Sequence, residues 1–157
     1  MWRTHNTFYI ENKHVKDQLQ WGKKEFNNFW YEKPEFWEEM YKQIPNLKQV
    51  YFAGGEPLMI KEHKKFIEEI IRQGYQDKIL LRYNSNGILV DKDLIELWSK
   101  FKKVKLAISM DAIEKRDEYI RFPTDWDTVE KNLRMLDETP DNIQTSLATA
   151  IQIFNVK

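Results

Sequence analysis

Short apolar runs of strand length alternate with longer amphipathic segments along most of this 157-residue chain. The longer segments carry apolar residues at the three- and four-residue spacing of a helix face. Strands that alternate with helices form βαβ units, in which right-handed crossovers make the strands parallel. The sequence therefore predicts an α/β fold with a parallel sheet, whose strands lie at 48–53, 78–83, 104–109 and within 143–154.

Capping residues and helix breakers mark the predicted helices between these strands. Pro34 opens the first helix, and Gly74 follows the end of the second. The predicted helices cover 35–44, 61–73, a segment capped by Asp91 and a segment capped by Thr124 or Asp125. The tryptophans are expected mainly in the core between these helices and the sheet.

The charge balance of the chain excludes several classes of partner. Lys and Arg number 25, and Asp and Glu also number 25, so no basic surface is expected that would bind nucleic acid. No apolar stretch approaches the ~18 residues of a membrane span, and no signal-peptide segment opens the sequence. We therefore expect a cytoplasmic protein without a nucleic-acid or membrane partner.

Cysteine is absent from the sequence. A chain without thiols has no disulfide, no thiolate zinc site, no cysteine nucleophile and no ordinary iron–sulfur ligation. The three histidines, His5, His14 and His63, lie far apart and do not predict a metal site. His63 is expected to be exposed in the first turn of its helix. No metal-binding residue and no catalytic residue is therefore predicted.

The beginning of the chain lacks the alternation seen later. In residues 1–34, aromatic and aliphatic residues are scattered among polar ones without a sustained period. We expect an irregular or short-helical excursion there, packed against the edge of the fold. A single α/β domain is expected from 35 to 157.

The first predicted strand ends in Gly54-Gly55-Glu56-Pro57, with two adjacent glycines among only five in the chain. Glycine lets the backbone turn sharply and lets a ligand approach it closely. Glu56 supplies a negative charge, and Pro57, which lacks an N–H, is suited to open a helix. The motif predicts a strand end that holds a small cationic or amino-bearing ligand. A tight turn with a solvated glutamate is the alternative.

Polar residues also follow the other predicted strands: Asn84-Ser85-Asn86-Gly87, Ser109 with Asp111, and Asn155. The carboxyl ends of parallel strands meet at one edge of a sheet, and such folds bind ligands at that edge. Simpler roles are open for two of these residues. Asn86 before a glycine is typical of a turn, and Asp111 is suited to cap the next segment.

Taken in order, these motifs resemble the radical SAM superfamily, and most nearly the radical SAM core of the SPASM/twitch-type enzymes. The matching pieces are Gly54-Gly55-Glu56-Pro57, Asn84-Ser85-Asn86-Gly87, Ile108-Ser109-Met110-Asp111-Ala112, Tyr119-Ile120-Arg121 and the helix Trp126-x-x-Val129-x-x-Asn132-Leu133. One such piece alone is only suggestive, whereas several in register with the predicted strands make a specific signal.

The resemblance implies a partial (β/α) barrel of about four parallel strands with flanking helices that binds S-adenosylmethionine. It implies that Gly54, Gly55, Glu56 and Pro57 form the strand end that holds the methionyl ammonium group. Asn86, in the second strand-end motif, is assigned to the same cofactor site.

The resemblance also assigns residues to the ribose, the adenine and the carboxylate of the cofactor. Ser109 and Asp111 stand where the family places polar contacts to the ribose, and residues 148–153 are expected to contact the adenine. Arg121 stands where a basic residue grips the methionyl carboxylate, a role that suits its planar guanidinium. A surface ion pair of Arg121 with Glu118 or Asp125 is the alternative.

A [4Fe–4S] cluster is the family's other cofactor, held by a Cys-x-x-x-Cys-x-x-Cys loop after the first strand. This chain has no cysteine, and residues 1–34 look like the segment that normally follows that loop. The chain also stops after what would be the fifth strand of the family's barrel. We therefore interpret it as an internal piece of a radical SAM enzyme. The cluster is expected only in a complete parent enzyme, and this chain alone is expected not to initiate radicals.

Three functional hypotheses follow. The first is a radical SAM core fragment that retains part of an S-adenosylmethionine pocket and whose parent acts on a peptide or protein. The second is a non-catalytic binding or scaffold module, because an incomplete barrel leaves strand edges open to self-association. The third is a hydrolase with Glu56 and Asp111 as a carboxylate pair, which requires the two carboxyl groups within ~10 Å.

Overall fold

Four parallel strands form one sheet in the order β1-β2-β3-β4 in a computed structural model that describes residues 33–156. The strands are β1 (Gln49–Phe52), β2 (Leu80–Ser85), β3 (Val104–Ser109) and β4 (Ile143–Ala148). Each strand pairs with the next along the chain, in a register that aligns Tyr51, Arg82, Lys105 and Gln144. The predicted parallel α/β fold is confirmed.

Helices connect these strands. Within the described residues they are α1 (Pro34–Gln43), α2 (Lys61–Arg72), α3 (Lys92–Ser99), α4 (Glu114–Ile120) and α5 (Trp126–Asp137), with 3₁₀ turns at Ile44–Asn46 and Pro57–Met59. The carboxylates of Asp91 and Asp125 accept the backbone N–H groups of Leu94 and Thr128. These two residues therefore cap α3 and α5; Asp91 is the predicted cap, and of the two candidates for α5, Thr124 and Asp125, the structure shows Asp125.

The strand order explains why one face of the sheet is covered. A right-handed crossover between neighbouring parallel strands places its helix on the same side each time when the strand order follows the chain. The alternate side chains that point to this side are buried: Leu81, Tyr83, Ser85, Val104, Leu106 and Ile108. The side chains between them point to the opposite face, where Arg82, Asn84 and Lys105 are exposed.

An aromatic layer joins the sheet to α2 and α3. The ring of Tyr83 lies 5.0 Å from that of Trp98 on α3 and 4.9 Å from that of Phe52 on β1, measured between centroids. Phe66 of α2 lies 6.4 Å from Phe52. Trp98 is 0% exposed, which confirms the expectation of a core tryptophan and removes its large apolar surface from water. This layer fixes the helices to the sheet and so sets the positions of the strand ends.

Two elements differ from the sequence prediction. β2 begins and ends two residues later than expected, so Asn84 and Ser85 belong to the strand and not to the turn that follows it. Asn84 is exposed and Ser85 is buried, which is the alternation of a strand. The second difference is α4, which is not predicted because its seven residues are mostly charged and show no apolar periodicity.

His63 is buried, contrary to the prediction that it is exposed. It is only 3% exposed, and its Nε2 atom lies 3.0 Å from Oη of Tyr83. The Phe52 ring meets it edge-on at 4.6 Å, because the first turn of α2 faces the sheet. Burial lowers the pKa of His63 from its ordinary 6.5 to about 4, since the charged imidazolium would lose its hydration there.

The excursion expected over 1–34 lies almost entirely outside the described residues, so it stays a prediction. The chain divides into two units between Phe36 and Trp37, and every described strand belongs to the second. In the described part of the chain, no helix is long and apolar enough to cross a lipid bilayer. That part also contains no cluster of three His, Asp or Glu side chains suited to hold a metal ion.

Candidate ligand site at the strand ends

Gly54 and Gly55 turn the backbone at the end of β1. Their φ angles are +90° and +37°, which side-chain-bearing residues rarely adopt, so this turn favours glycine. A Cβ atom at either position would have no other atom within 4 Å, so the space beside the turn is open. Among the described residues, no hydrogen bond reaches the two glycine carbonyl oxygens, which leaves them available to a ligand donor.

The carboxylate of Glu56 ties the end of β1 to the end of β2. Its Oε1 atom accepts the backbone N–H of Leu58 at 3.1 Å and the hydroxyl of Ser85 at 2.9 Å. Its Oε2 atom accepts the backbone N–H of Asn86 at 2.7 Å. Glu56 thus caps the turn that Pro57 opens, and one acceptor position on Oε2 remains for a ligand. The predicted contact with a ligand ammonium group stays a prediction.

Two side-chain amides hold the loop after β2. Oδ1 of Asn86 accepts the backbone N–H of Ile88 at 3.0 Å, which is the turn role that the sequence left open. Nδ2 of Asn132 on α5 donates to the carbonyl oxygens of Gly87 at 2.8 Å and Ile88 at 2.9 Å. Asn132 is buried, so this loop depends on a helix far along the chain. The assignment of Asn86 to a cofactor site stays a prediction.

Replacing Gly87 by alanine tests how closely this loop packs against β3. Gly87 has a φ angle of +77°, and a Cβ atom there would lie 3.3 Å from Cγ2 of Ile108. We expect Gly87→Ala to lower the free energy of unfolding by about 1 to 3 kcal/mol, through the left-handed backbone and the added crowding. Urea unfolding followed by circular dichroism measures this change.

Gly74→Ala is the matched control for that experiment. Gly74 has the same φ angle of +77°, but a Cβ atom there would have no other atom within 4 Å. Its loss of stability reports the backbone contribution alone, about 1 kcal/mol. Equal losses in the two variants would contradict close packing of Gly87 against Ile108.

Asp111 joins the end of β3 to the segment after β4. It is buried, and its Oδ1 atom accepts the backbone N–H of Ala150 at 2.7 Å. Its carbonyl oxygen accepts Nδ2 of Asn155 at 2.9 Å. Ser109, two residues earlier, is half-buried and pairs with Ala148 of β4. Asp111 therefore links two strand ends instead of capping the next segment.

Arg121, at the end of α4, lies against Asp111. Its Nε atom is 2.9 Å from Oδ2 of Asp111, although the N–H is not aligned for a hydrogen bond. Only 26% of the arginine side chain and 7% of the aspartate side chain are exposed, so the ion pair is shielded from water. The alternative pairing of Arg121 with Glu118 or Asp125 is wrong. The structure thus brings Asp111 and Arg121 together, as a shared ligand site requires.

Asp117 is a buried member of this cluster that is not predicted from the sequence. Its Oδ1 atom accepts the backbone N–H groups of Asp111 at 3.0 Å and Ala112 at 3.1 Å. Its Oδ2 atom is buried and has no hydrogen-bond partner among the described residues. The backbone carbonyl oxygen of Asp117 accepts the N–H of Arg121 at 2.8 Å, so Asp117 contacts both members of the ion pair through their backbone N–H groups. Nothing in the sequence distinguishes Asp117 from the charged residues beside it.

An open cavity of about 520 Å³ lies beside this cluster, at the ends of β3 and β4. It is lined by residues 110–116 together with Thr149 and Asn155. Its volume falls within the range of pockets that hold small-molecule cofactors. Glu114 in its lining has a φ angle of +53°, an uncommon conformation that concentrates at ligand sites.

The strand-end residues thus form two bonded groups on neighbouring strands. Glu56, Ser85 and Asn86 make the group at β1 and β2, and Asp111 with Arg121 makes the group at β3 and β4. Both groups lie at the same edge of the sheet, because β2 and β3 are parallel and paired as far as Ser85 and Ile108. Within the segment expected to contact adenine, Ile151 and Ile153 are 86% and 84% exposed and do not line the cavity.

Comparisons with known proteins agree with this architecture. A model of the Radical SAM superfamily matches residues 13–151. Two similar solved structures are native anSMEcpe with bound AdoMet and Kp18Cys peptide, and native anSMEcpe with bound AdoMet; the identities are 21% and 22%, and the TM-score is 0.55 for both. Each comparison covers 74% of this chain and 34% of the other, so this chain spans about a third of the neighbours' length. No curated protein matches the sequence.

The family match spans far more than half of the chain and includes every described strand. The similar structures share its parallel sheet, which agrees with the partial barrel that the sequence motifs imply. This chain belongs to the radical SAM superfamily.

Proposed function

We propose that this chain is the S-adenosylmethionine-binding part of a radical SAM enzyme. The observation that carries the proposal is the shielded ion pair of Asp111 and Arg121 beside an open cavity at the end of β3, with Glu56 fixed at the end of β1 on the same edge of the sheet. The family match and the bound AdoMet in both similar structures support it.

Unused donors and acceptors at the strand ends suit the two charged ends of an amino acid. The carbonyl oxygens of Gly54 and Gly55 and the remaining acceptor position on Oε2 of Glu56 hold the ammonium group. Nε of Arg121 lies against Asp111, and its terminal nitrogens make no hydrogen bond among the described residues, so they hold the carboxylate. In the family's enzymes, bound S-adenosylmethionine supplies the 5′-deoxyadenosyl group that becomes the radical.

Asp111 and Ser109 serve the ribose in this proposal. Asp111 is fixed by the N–H of Ala150 and by Arg121, yet each of its carboxylate oxygens keeps one free acceptor position. A carboxylate fixed in this way accepts hydrogen bonds from ribose hydroxyls without reorganising. Asp117 helps to hold Asp111 in position, because its carboxylate accepts the backbone N–H of Asp111.

The residues of this chain do not fit a thiolate-ligated iron–sulfur cluster, because the sequence contains no cysteine. We therefore assign cofactor binding to the chain, and we assign radical initiation to no residue in it. A complete parent enzyme with a peptide or protein substrate is part of the same proposal, and one similar structure holds a peptide.

Isothermal titration calorimetry with S-adenosylmethionine tests this function. We expect measurable binding, and we expect Arg121→Gln to weaken it about tenfold or more, because a charge-assisted hydrogen bond contributes roughly 1.5–3 kcal/mol. No binding of the unmodified chain at millimolar ligand would contradict the proposal.

Arg134→Gln is the matched control. Arg134 on α5 loses the same charge, but it is exposed and pairs with Glu130 at 2.6 Å, away from the strand ends. We expect its affinity for S-adenosylmethionine to be unchanged. Circular dichroism of both variants checks that the fold is intact.

A non-catalytic binding or scaffold module is the second candidate function. Four of the six residues of β4 are exposed, and β4 is the last strand in the order of the described sheet. An uncovered strand edge favours pairing with another chain. The hydrolase hypothesis has less support, because internal donors already engage the carboxylates of both Glu56 and Asp111.

A further inference from the structure

One face of the sheet has exposed polar side chains along all four strands. We call it the open face, and it consists of Tyr51, Arg82, Asn84, Lys105, Gln144 and Ser146. Parallel sheets usually have both faces covered and read as continuous apolar runs. The polar side chains here instead suit a polar ligand, and they lie on the side opposite to the one that packs on α2 and α3.

The open face is cationic. Arg82 and Lys105 lie side by side on β2 and β3, in the same register row. Among the described residues, no carboxylate oxygen lies within 4.0 Å of either cation. The four strands contain no Asp or Glu at all, so no strand residue neutralises this charge.

A neighbouring aromatic ring holds one of the two cations in place. The Arg82 guanidinium lies 5.3 Å from the ring centroid of Tyr51, a cation–π contact that orients it on the face. Adjacent strands are ~4.8 Å apart, so one carboxylate fits between Arg82 and Lys105 and meets both charges. Exposed amide and hydroxyl groups on Asn84, Gln144 and Ser146 suit the backbone of a peptide.

We propose that the open face binds an acidic peptide segment in extended form and directs it toward the strand ends. This inference rests on the proposed function, because it names the substrate class of the same site. Lys105 lies four residues before Ser109, a distance of ~13 Å along the strand. An extended peptide covers that distance in about four residues. The acidic residue of the bound peptide therefore lies about four residues from the peptide residue that is presented to the cofactor.

Fluorescence anisotropy tests the inference with a rhodamine-labelled ten-residue peptide of Ala, Gly and Ser that carries one central Asp. We expect the full chain to bind this peptide and to bind the otherwise identical Asn peptide at least tenfold more weakly. The double variant Arg82→Gln/Lys105→Gln is expected to lose the preference for Asp. Raising the salt from 50 to 300 mM is expected to weaken binding, because exposed charges are screened.

Lys65→Gln/Lys131→Gln is the matched control, since it removes two exposed cations from α2 and α5 instead. We expect it to keep the preference for the Asp peptide. Equal binding of the Asp and Asn peptides, or equal loss in both double variants, would overturn the inference.

The titration with S-adenosylmethionine separates this inference from the proposed function. Cofactor binding without any preference for the Asp peptide would overturn the inference and leave the proposed function standing. A preference for the Asp peptide that depends on Arg82 and Lys105, without cofactor binding, would support the peptide face and contradict the proposed function.

Discussion

Replacing Trp98 by alanine is expected to lower the free energy of unfolding by about 3–5 kcal/mol, the cost of a large cavity in a packed core. Trp98 is 0% exposed and packs against Tyr83 at the centre of the aromatic layer. The loss removes much of the stability of an ordinary domain, which is about 5–15 kcal/mol. Urea unfolding at neutral pH measures it, and the midpoint is expected to fall sharply.

Tyr119→Ala is the control for this core prediction. Tyr119 is also aromatic, but it is 72% exposed, and its described ring contact is with Phe154, itself 55% exposed. We expect its removal to cost less than about 1 kcal/mol. A loss for Trp98→Ala no larger than that of Tyr119→Ala would mean that the aromatic layer does not hold the helices to the sheet.

Acid is expected to destabilise the fold through His63. Burial lowers the pKa of His63 in the folded chain to about 4, whereas the unfolded chain has the ordinary 6.5. Well above pH 6.5 both states hold a neutral imidazole, so His63 adds no pH dependence there. As the pH falls below 6.5, the unfolded state takes up the proton first and stability drops. Between pH 7 and pH 4.5 the loss is about 2 to 2.5 kcal/mol.

The double variant His63→Phe/Tyr83→Phe isolates this effect. It removes the titrating group and its 3.0 Å partner together, so no polar atom of that pair is left buried and unpaired. Urea unfolding at pH 7 and pH 4.5 gives the difference for each protein. We expect the double variant to lose about 2 kcal/mol less than the unmodified chain over this range. Equal losses would show that His63 is not buried as a neutral imidazole.

Periodicity and caps predicted most of the fold because they are local properties. The carboxylates of Asp91 and Asp125 cap their helices as expected, and the apolar runs become parallel strands. The error in β2 has a physical reason. Asn84 and Ser85 have low strand propensity, but pairing with Ala107 and Ile108 of β3 extends the strand over them.

The position of the candidate site could be predicted from the sequence, but the hydrogen bonds and ion pairs within it could not. Sequence order puts Glu56, Ser109 and Asp111 at strand ends, and the structure brings them to one edge of the sheet. Sequence order does not show that Glu56 accepts a hydrogen bond from Asn86, 30 positions away, or that Arg121 pairs with Asp111. Such pairings depend on the register between strands and on the path of α4, which carries no periodic signal.

His63 illustrates the same limit in the core. A histidine beside Glu62 at the start of a charged helix has the sequence context of a surface residue. Its burial follows from the rotation of α2 about its own axis, which apolar residues later in the helix, such as Phe66 and Ile70, determine through their packing on the sheet.

The hydrogen bonds from Asn132 to the carbonyl oxygens of Gly87 and Ile88 impose a sequence of events on the nascent chain. During translation, β1 and β2 emerge well before α5, and contacts over such separations form late. The loop after β2 therefore lacks its anchor until α5 has been made. The loop at the proposed binding edge is therefore complete only once α5 has docked, and a partly synthesised chain carries the ends of β1 and β2 without it.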